Sequence, residues 1–174
     1  MYALILALVL MTTEGEPSPP PPPPTLHIVG DSQACGAGMA AAKVEETKAW
    51  ARVKTTCKGG TPVRYWNGHI ADVGLRPGDS VLVYLGSNDW GAVSDPTEVL
   101  AKIKASGAKC VWVGPPQIRG KDGAAPRLKE KVTADGTCAY LDSRELRLQQ
   151  PDGVHTSEPG RWLRSGVAKL SQKR

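Results

Sequence analysis

Leu26-His27-Ile28-Val29-Gly30-Asp31-Ser32 passes from a short apolar, β-prone run into a glycine-marked turn. The Gly-rich segment 33–38 follows, and the Ala-rich segment 39–51 after it has the composition of a helix. A strand that ends in a turn and leads to a helix is the opening half of a β-α unit. Ser32 therefore falls at the turn itself. Backbone N–H groups at the start of a helix lack intrahelical partners, and the helix dipole favours negative charge there. A hydroxyl in this position suits a nucleophile that generates an oxyanion.

The rest of the 174-residue chain repeats the alternation. Strands are predicted at 52–56, 80–85, 110–113 and 138–141, and helices at 96–106, 125–134 and 158–170. Ser94 or Asp95 is placed to cap the helix at 96. Strands alternating with helices predict one α/β domain, its parallel sheet covered by helices on both faces. The body, 26–174, is long enough to bury a real core. The sequence has no internal repeat, no Cys/His spacing of a metal site and no phosphate-binding Gly-Lys-Ser motif.

Two further blocks carry chemistry. Gly86-Ser87-Asn88-Asp89 follows the strand at 80–85, and Asp152-Gly153-Val154-His155 precedes the last helix. Open α/β sheets bind ligands beyond the carboxyl ends of their strands, where the Ser32 and Asn88 blocks fall. Together the three blocks supply a nucleophile, an imidazole to take its proton, a carboxylate to hold that imidazole and an amide to receive an oxyanion. Each block alone is ordinary turn chemistry. Gly78-Asp79-Ser80 repeats the letters of the first block, but it precedes a strand, and Ser80 is assigned to the strand's start. Of the three histidines, His27 lies inside the first strand and His69 follows Gly68, whereas His155 has Asp152 three residues before it. That spacing lets one loop orient ring and carboxylate together, so His155 is the expected base.

In this order, and with a lone Gly between the first two, the blocks resemble the SGNH (GDSL-type) serine hydrolases over 26–170. The resemblance implies a three-layer α/β/α sandwich with a five-stranded parallel sheet of flavodoxin-like order 2-1-3-4-5. It implies Ser32, Asp152 and His155 as catalytic residues and an oxyanion hole from Ser32, Gly68 and Asn88, with Gly59, Gly60 and Gly74 competing for the role of Gly68. In that strand order Cys35 and Cys57 share one edge of the sheet and Cys110 and Cys138 the other, which implies the bridges Cys35–Cys57 and Cys110–Cys138. Neither a metal nor a cofactor is implied. The implied activity is hydrolysis of short acyl esters, O-acetyl above all, on a polysaccharide or cell-wall glycan. The alternatives are a lipid esterase or thioesterase, and a non-catalytic glycan-binding surface or virion module on the same fold.

Residues 1–16 hold an apolar, signal-like run and a polar stretch, and 17–25 is a proline-rich linker suited to polyproline II. The apolar run is too short to span a bilayer. An exported protein without a membrane span is expected, and the even cysteine count agrees with that compartment. A net charge of +5 from scattered Lys and Arg favours anionic surroundings such as acidic glycans. No motif supports a specific nucleic-acid partner, and a monomer is expected. The chain has five Trp and no Phe. Trp66 and Trp90, with His69, lie beside the oxyanion blocks and are the expected substrate-binding residues, because a flat indole packs against the C–H face of a sugar ring.

Overall fold

The computed structural model of the chain describes residues 22–89 and 95–172. The signal-like segment, most of the proline-rich linker, Trp90 and Ser94 lie outside the described residues. Strands β1 (Thr25–Gly30), β2 (Arg52–Cys57), β3 (Ser80–Tyr84), β4 (Lys109–Val113) and β5 (Cys138–Leu141) form one parallel sheet of order β2-β1-β3-β4-β5. Every residue of β1 and β3 is buried, as their largely apolar character suits for central strands covered on both sides.

Alternate strand residues feed two cores. Ile28, Leu82, Tyr84 and Val111 pack with Ala34 and Ala37 of α1 (Ser32–Ala40) and with Trp162, Leu163 and Val167 of α5 (Pro159–Ser171). On the other face Val29, Val81, Val83 and Trp112 pack with Trp66 of α2 (Val63–His69), Leu100 and Ile103 of α3 (Thr97–Ser106), and Leu128 and Val132 of α4 (Ala125–Asp135). The three layers follow directly from this alternation. At about 1.5–3 kcal/mol per buried large aliphatic or aromatic side chain, these two interfaces dominate the favourable side of folding.

Two local expectations are corrected. The helix after the first turn does not occupy 39–51. It begins at Ser32, runs through the Gly-rich segment and ends at Ala40, followed by 3-10 turns at Ala41–Lys43 and Glu45–Ala49. Between those turns Val44 is extended and buried in the core, and the Thr47 hydroxyl bonds the Ala41 and Val44 carbonyls at 3.0 and 2.7 Å, so the helix cannot continue. Helix α2 is an addition to the expected elements. Its first N–H, from Val63, donates to the buried Asp89 carboxylate at 3.0 Å, a contact between segments far apart in sequence.

The second Gly-Asp-Ser sits at the opposite end of the sheet from the first. Asp79 accepts the Thr25 N–H at 2.9 Å and the Arg76 N–H at 3.1 Å, and its Oδ2 lies 3.3 Å from His27 Nε2. This buried group closes a turn and anchors the start of β1, and Ser80 begins β3. Disulfides join Cys35 of α1 to Cys57 at the end of β2, and Cys110 to its register partner Cys138.

Candidate active site

Gly30 ends β1 at φ +147°, so close to β3 that a Cβ there would lie 1.9 Å from the Tyr84 carbonyl oxygen. Only glycine fits. The next residue, Asp31, donates its N–H to that same oxygen at 3.0 Å and becomes the N-cap of α1, its Oδ1 accepting the Gln33 N–H at 2.9 Å. Ser32 is thereby fixed as the first residue of the helix, with an N–H that has no intrahelical partner.

The 152–155 loop reaches Ser32 from the other end of the chain. Asp152 Oδ1 accepts the N–H groups of Val154 and His155 at 2.8 and 2.7 Å, and Oδ2 lies 2.7 Å from His155 Nδ1. The other ring nitrogen, Nε2, lies 3.0 Å from Ser32 Oγ. The His155 ring, then the two backbone donors, holds the Asp152 carboxyl well below the usual carboxylate range. An ionised Asp152 favours the tautomer with its proton on Nδ1, which leaves Nε2 free to accept the Ser32 proton. The pair stays open to solvent, with the His155 and Asp152 side chains 51% and 56% exposed. Three contacts steady the loop: Gln33 Nε2 donates to the Val154 carbonyl at 2.8 Å, Gln150 Nε2 to the same oxygen at 3.0 Å, and the Arg119 N–H to the Gly153 carbonyl at 2.6 Å.

Asn88 is attached to the same centre. Its Nδ2 donates to Asp31 Oδ2 at 3.2 Å and to the Thr61 carbonyl at 3.3 Å. Both amide protons are thus engaged in the resting geometry, the Thr61 contact being the longer of the two. Asp31 itself is completely buried. Burial pushes its carboxyl up to about 7, against the lowering effect of donors from Gln33 and Ser87, and the nearby Asp89 charge adds to the rise.

The remaining expected residues separate into those beside Ser32 and those elsewhere. Gly68 sits inside α2, where a backbone N–H belongs to the helix ladder, and a Cβ there would touch nothing. Gly59 is a glycine beside the Ser32 side chain: a Cβ there would lie 3.8 Å from Ser32 Cβ. The register of β1 with β2 places it, since Gly30 is opposite Cys57 and the Lys58 N–H donates to the Gly30 carbonyl at 2.9 Å. Trp66, expected to wall a pocket, is only 2% exposed, with its indole N–H on Thr61 Oγ1 at 3.0 Å; its ring is core, not a platform. His69 is exposed, stacks on Tyr65 at 3.9 Å and turns Nδ1 to the Tyr65 carbonyl, with no hydrogen bond to Ser32 among the described residues. Gln33, Thr61 and Arg119 carry site contacts that sequence reasoning missed. Gln33 had a signal, adjacency to Ser32; Thr61 and Arg119 act through contacts made only by the fold.

No family model and no curated protein matches the chain. Solved structures do. The chain is similar to protein YXIM from Bacillus subtilis (TM-score 0.66, 16% identity, 86% of this chain but only 56% of that one). It is similar to a GDSL-like lipase from Bacteroides thetaiotaomicron (TM-score 0.63, 11% identity, 86% and 89% of the two chains). The C-terminal catalytic domain of a peptidoglycan O-acetyltransferase from Streptococcus pneumoniae is also similar (TM-score 0.55, 14% identity, 86% and 90%). At such identities the likeness is one of fold: the chain has the fold of the SGNH/GDSL-type hydrolases.

Proposed function

We propose that the protein is an exported serine esterase that removes short acyl groups, O-acetyl above all, from a polysaccharide or cell-wall glycan. The observation that carries this reading is the continuous contact from Asp152 through His155 to Ser32, at 2.7 and 3.0 Å. His155 takes the Ser32 proton as Oγ attacks the ester carbonyl, and the imidazolium is supported by Asp152. The oxyanion is received by the Ser32 N–H, the Asn88 amide and the N–H of Gly59, which replaces Gly68 in this role. His155 then returns the proton to the leaving alcohol, and water, deprotonated by His155, hydrolyses the acyl-serine. Replacing that water by a second sugar hydroxyl makes the same machinery an acyltransferase, a second reading favoured by the likeness to the O-acetyltransferase domain.

A glycan suits the surface better than a lipid. Met39 is the one exposed large hydrophobic side chain among the described residues, which is little for the docking of a long acyl chain. No helix among them is long and apolar enough to cross a membrane, and two disulfides fit an oxidising compartment. The test is acetate release from O-acetylated polysaccharides beside p-nitrophenyl esters of graded chain length, with a fluorophosphonate to label the nucleophile. Labelling at Ser32, lost in Ser32→Ala and kept in Ser80→Ala, is expected. If wild type hydrolyses no ester and takes no label, yet binds a glycan, the non-catalytic module is the correct reading.

A further inference from the structure

Ile118 and Lys121 exchange backbone hydrogen bonds at 2.8 and 3.0 Å across the two-residue turn Arg119-Gly120. Both central residues have positive φ, 49° and 73°, as the primed hairpin turns require. Such turns favour Asn, Asp or Gly at the first central position, and a residue with a full side chain costs about 1–2 kcal/mol there. Only one other described residue besides glycine has positive φ. It is Arg147, which closes the 3-10 turn Ser143–Leu146, where a left-handed residue is a usual stop.

Arg119 has no such structural duty for its side chain. Its stem lies along the 152–155 loop, with Cγ 3.2 Å from where a Cβ on Gly153 would stand. The side chain is exposed, and its guanidinium makes no hydrogen bond or ion pair among the described residues. Asp152, the carboxylate of that loop, is paired with His155, and Asp122, three residues on in the chain from Arg119, is taken up by Gln117 and Arg144. The turn beneath the cation is firmly held. Ile118 is buried, and Asp122 accepts Gln117 Nε2 and Arg144 Nη1, each at 3.0 Å, while Arg144 also grips the buried Asp142. A free guanidinium is thus held in a costly conformation, on a rigid mount, against the loop that carries the base.

We propose that Arg119 binds an anionic group of the substrate, so that the preferred ester is an acylated glycan bearing a carboxylate or phosphate close to the ester. The inference rests on the esterase reading and names its substrate class. A guanidinium suits the role because its planar fork matches either anion in a bidentate fashion, and Lys121, exposed two residues on, adds to the positive potential.

The test compares kcat/KM for three acetyl esters: a uronic-acid oligosaccharide, its neutral-sugar counterpart and a sugar phosphate. Wild type is expected to prefer an anionic ester. Arg119→Asn keeps a residue at home at positive φ and should lower the anionic-to-neutral ratio about tenfold, through KM, as loss of one charge-assisted hydrogen bond implies. Arg119→Lys should restore part of it. A fall with the uronate alone identifies the anion as a carboxylate, and a fall with the sugar phosphate alone as a phosphate. An equal loss on all three esters means that the turn merely holds Gly153 and overturns the proposal, as does an unchanged ratio. Calorimetry with Ser32→Ala protein and the deacetylated acidic oligosaccharide separates the two readings. Binding that disappears with Arg119→Asn upholds the anion site even if wild type turns over no ester, and in that case only the esterase reading falls.

Discussion

Asp31→Asn isolates the effect of burying a carboxyl in the residue before Ser32. The group is fully buried at the N-cap of α1, and burial pushes its pKa from 3.8 up to about 7. Between those values the unfolded chain has released a proton that the native state still holds, so stability falls as pH rises. The favourable contribution is complete below about pH 4 and is lost as pH passes through about 7. At about 1.4 kcal/mol per pH unit, the whole change amounts to about 4 kcal/mol. The amide of the variant does not titrate. Urea unfolding of wild type and variant from about pH 4 to 8 should therefore show wild type losing about 4 kcal/mol relative to the variant. Taking the difference removes the opposite dependence of groups such as Asp142, which its Arg144 hydrogen bond holds down at about 2 and which stabilises above 3.8. Activity should move the other way from stability. The variant presents an NH2 group where the Asn88 amide needs an acceptor, one of the two must turn, and kcat should fall by about tenfold or more at neutral pH. A stability difference that stays flat across the range, or one that grows in favour of wild type, refutes the argument, because it means that the Gln33, Ser87 and Asn88 donors outweigh burial.

Three further outcomes follow from the site and its frame. Asn88→Ala should lower kcat by about a hundred- to a thousand-fold, the worth of one oxyanion donor, with little change in KM; a loss confined to KM makes Asn88 a binding residue. Asp152→Asn should leave weak but measurable turnover, because Ser32 and the oxyanion donors remain and only the tautomer and orientation of His155 suffer; steady-state kinetics matching those of wild type would remove Asp152 from the mechanism. Gly30→Ala should destabilise the fold by about 3 kcal/mol or more, since the new Cβ meets the Tyr84 carbonyl and φ is unsuited to a side chain; the urea midpoint reads this directly.

The sheet was legible because its strands announce themselves locally. β1, β3 and most of β4 are buried on both faces and read as largely apolar runs. The Asp152-to-His155 contact was legible for the same reason, since four consecutive residues contain both partners. What escaped depends on distant segments. Helix α1 runs through Gly36 and Gly38, poor helix formers, because a Cβ on Gly38 would collide with Thr55 at 2.4 Å; close packing on β2 overrides propensity. Helix α2 starts on the carboxylate of Asp89. Which glycine stands beside Ser32 depends on register, which no local pattern reveals: Gly59 lies there because Gly30 pairs with Cys57.

That register also makes the two disulfides unequal in function, though their effects on stability should be alike. Cys35–Cys57 and Cys110–Cys138 close loops of similar length, 22 and 28 residues in sequence separation, so each restricts the unfolded chain by about 3–4 kcal/mol. Their positions differ. Cys35 is three residues after Ser32 in α1, and Cys57 is two residues before Gly59, so the first bridge ties the helix that begins at Ser32 to the segment that brings Gly59 beside it. Cys110 and Cys138 pair at the starts of β4 and β5, at the end of the sheet opposite the site. Replacing both members of either pair by serine should lower the urea midpoint by comparable amounts. Only the Cys35/Cys57 variant, measured well below its unfolding transition, should also lose kcat on a simple acetyl ester. Equal kinetic losses from the two variants would show that the bridges act through global stability alone, and that the distance between Ser32 and Gly59 is set by the sheet without help from the disulfide.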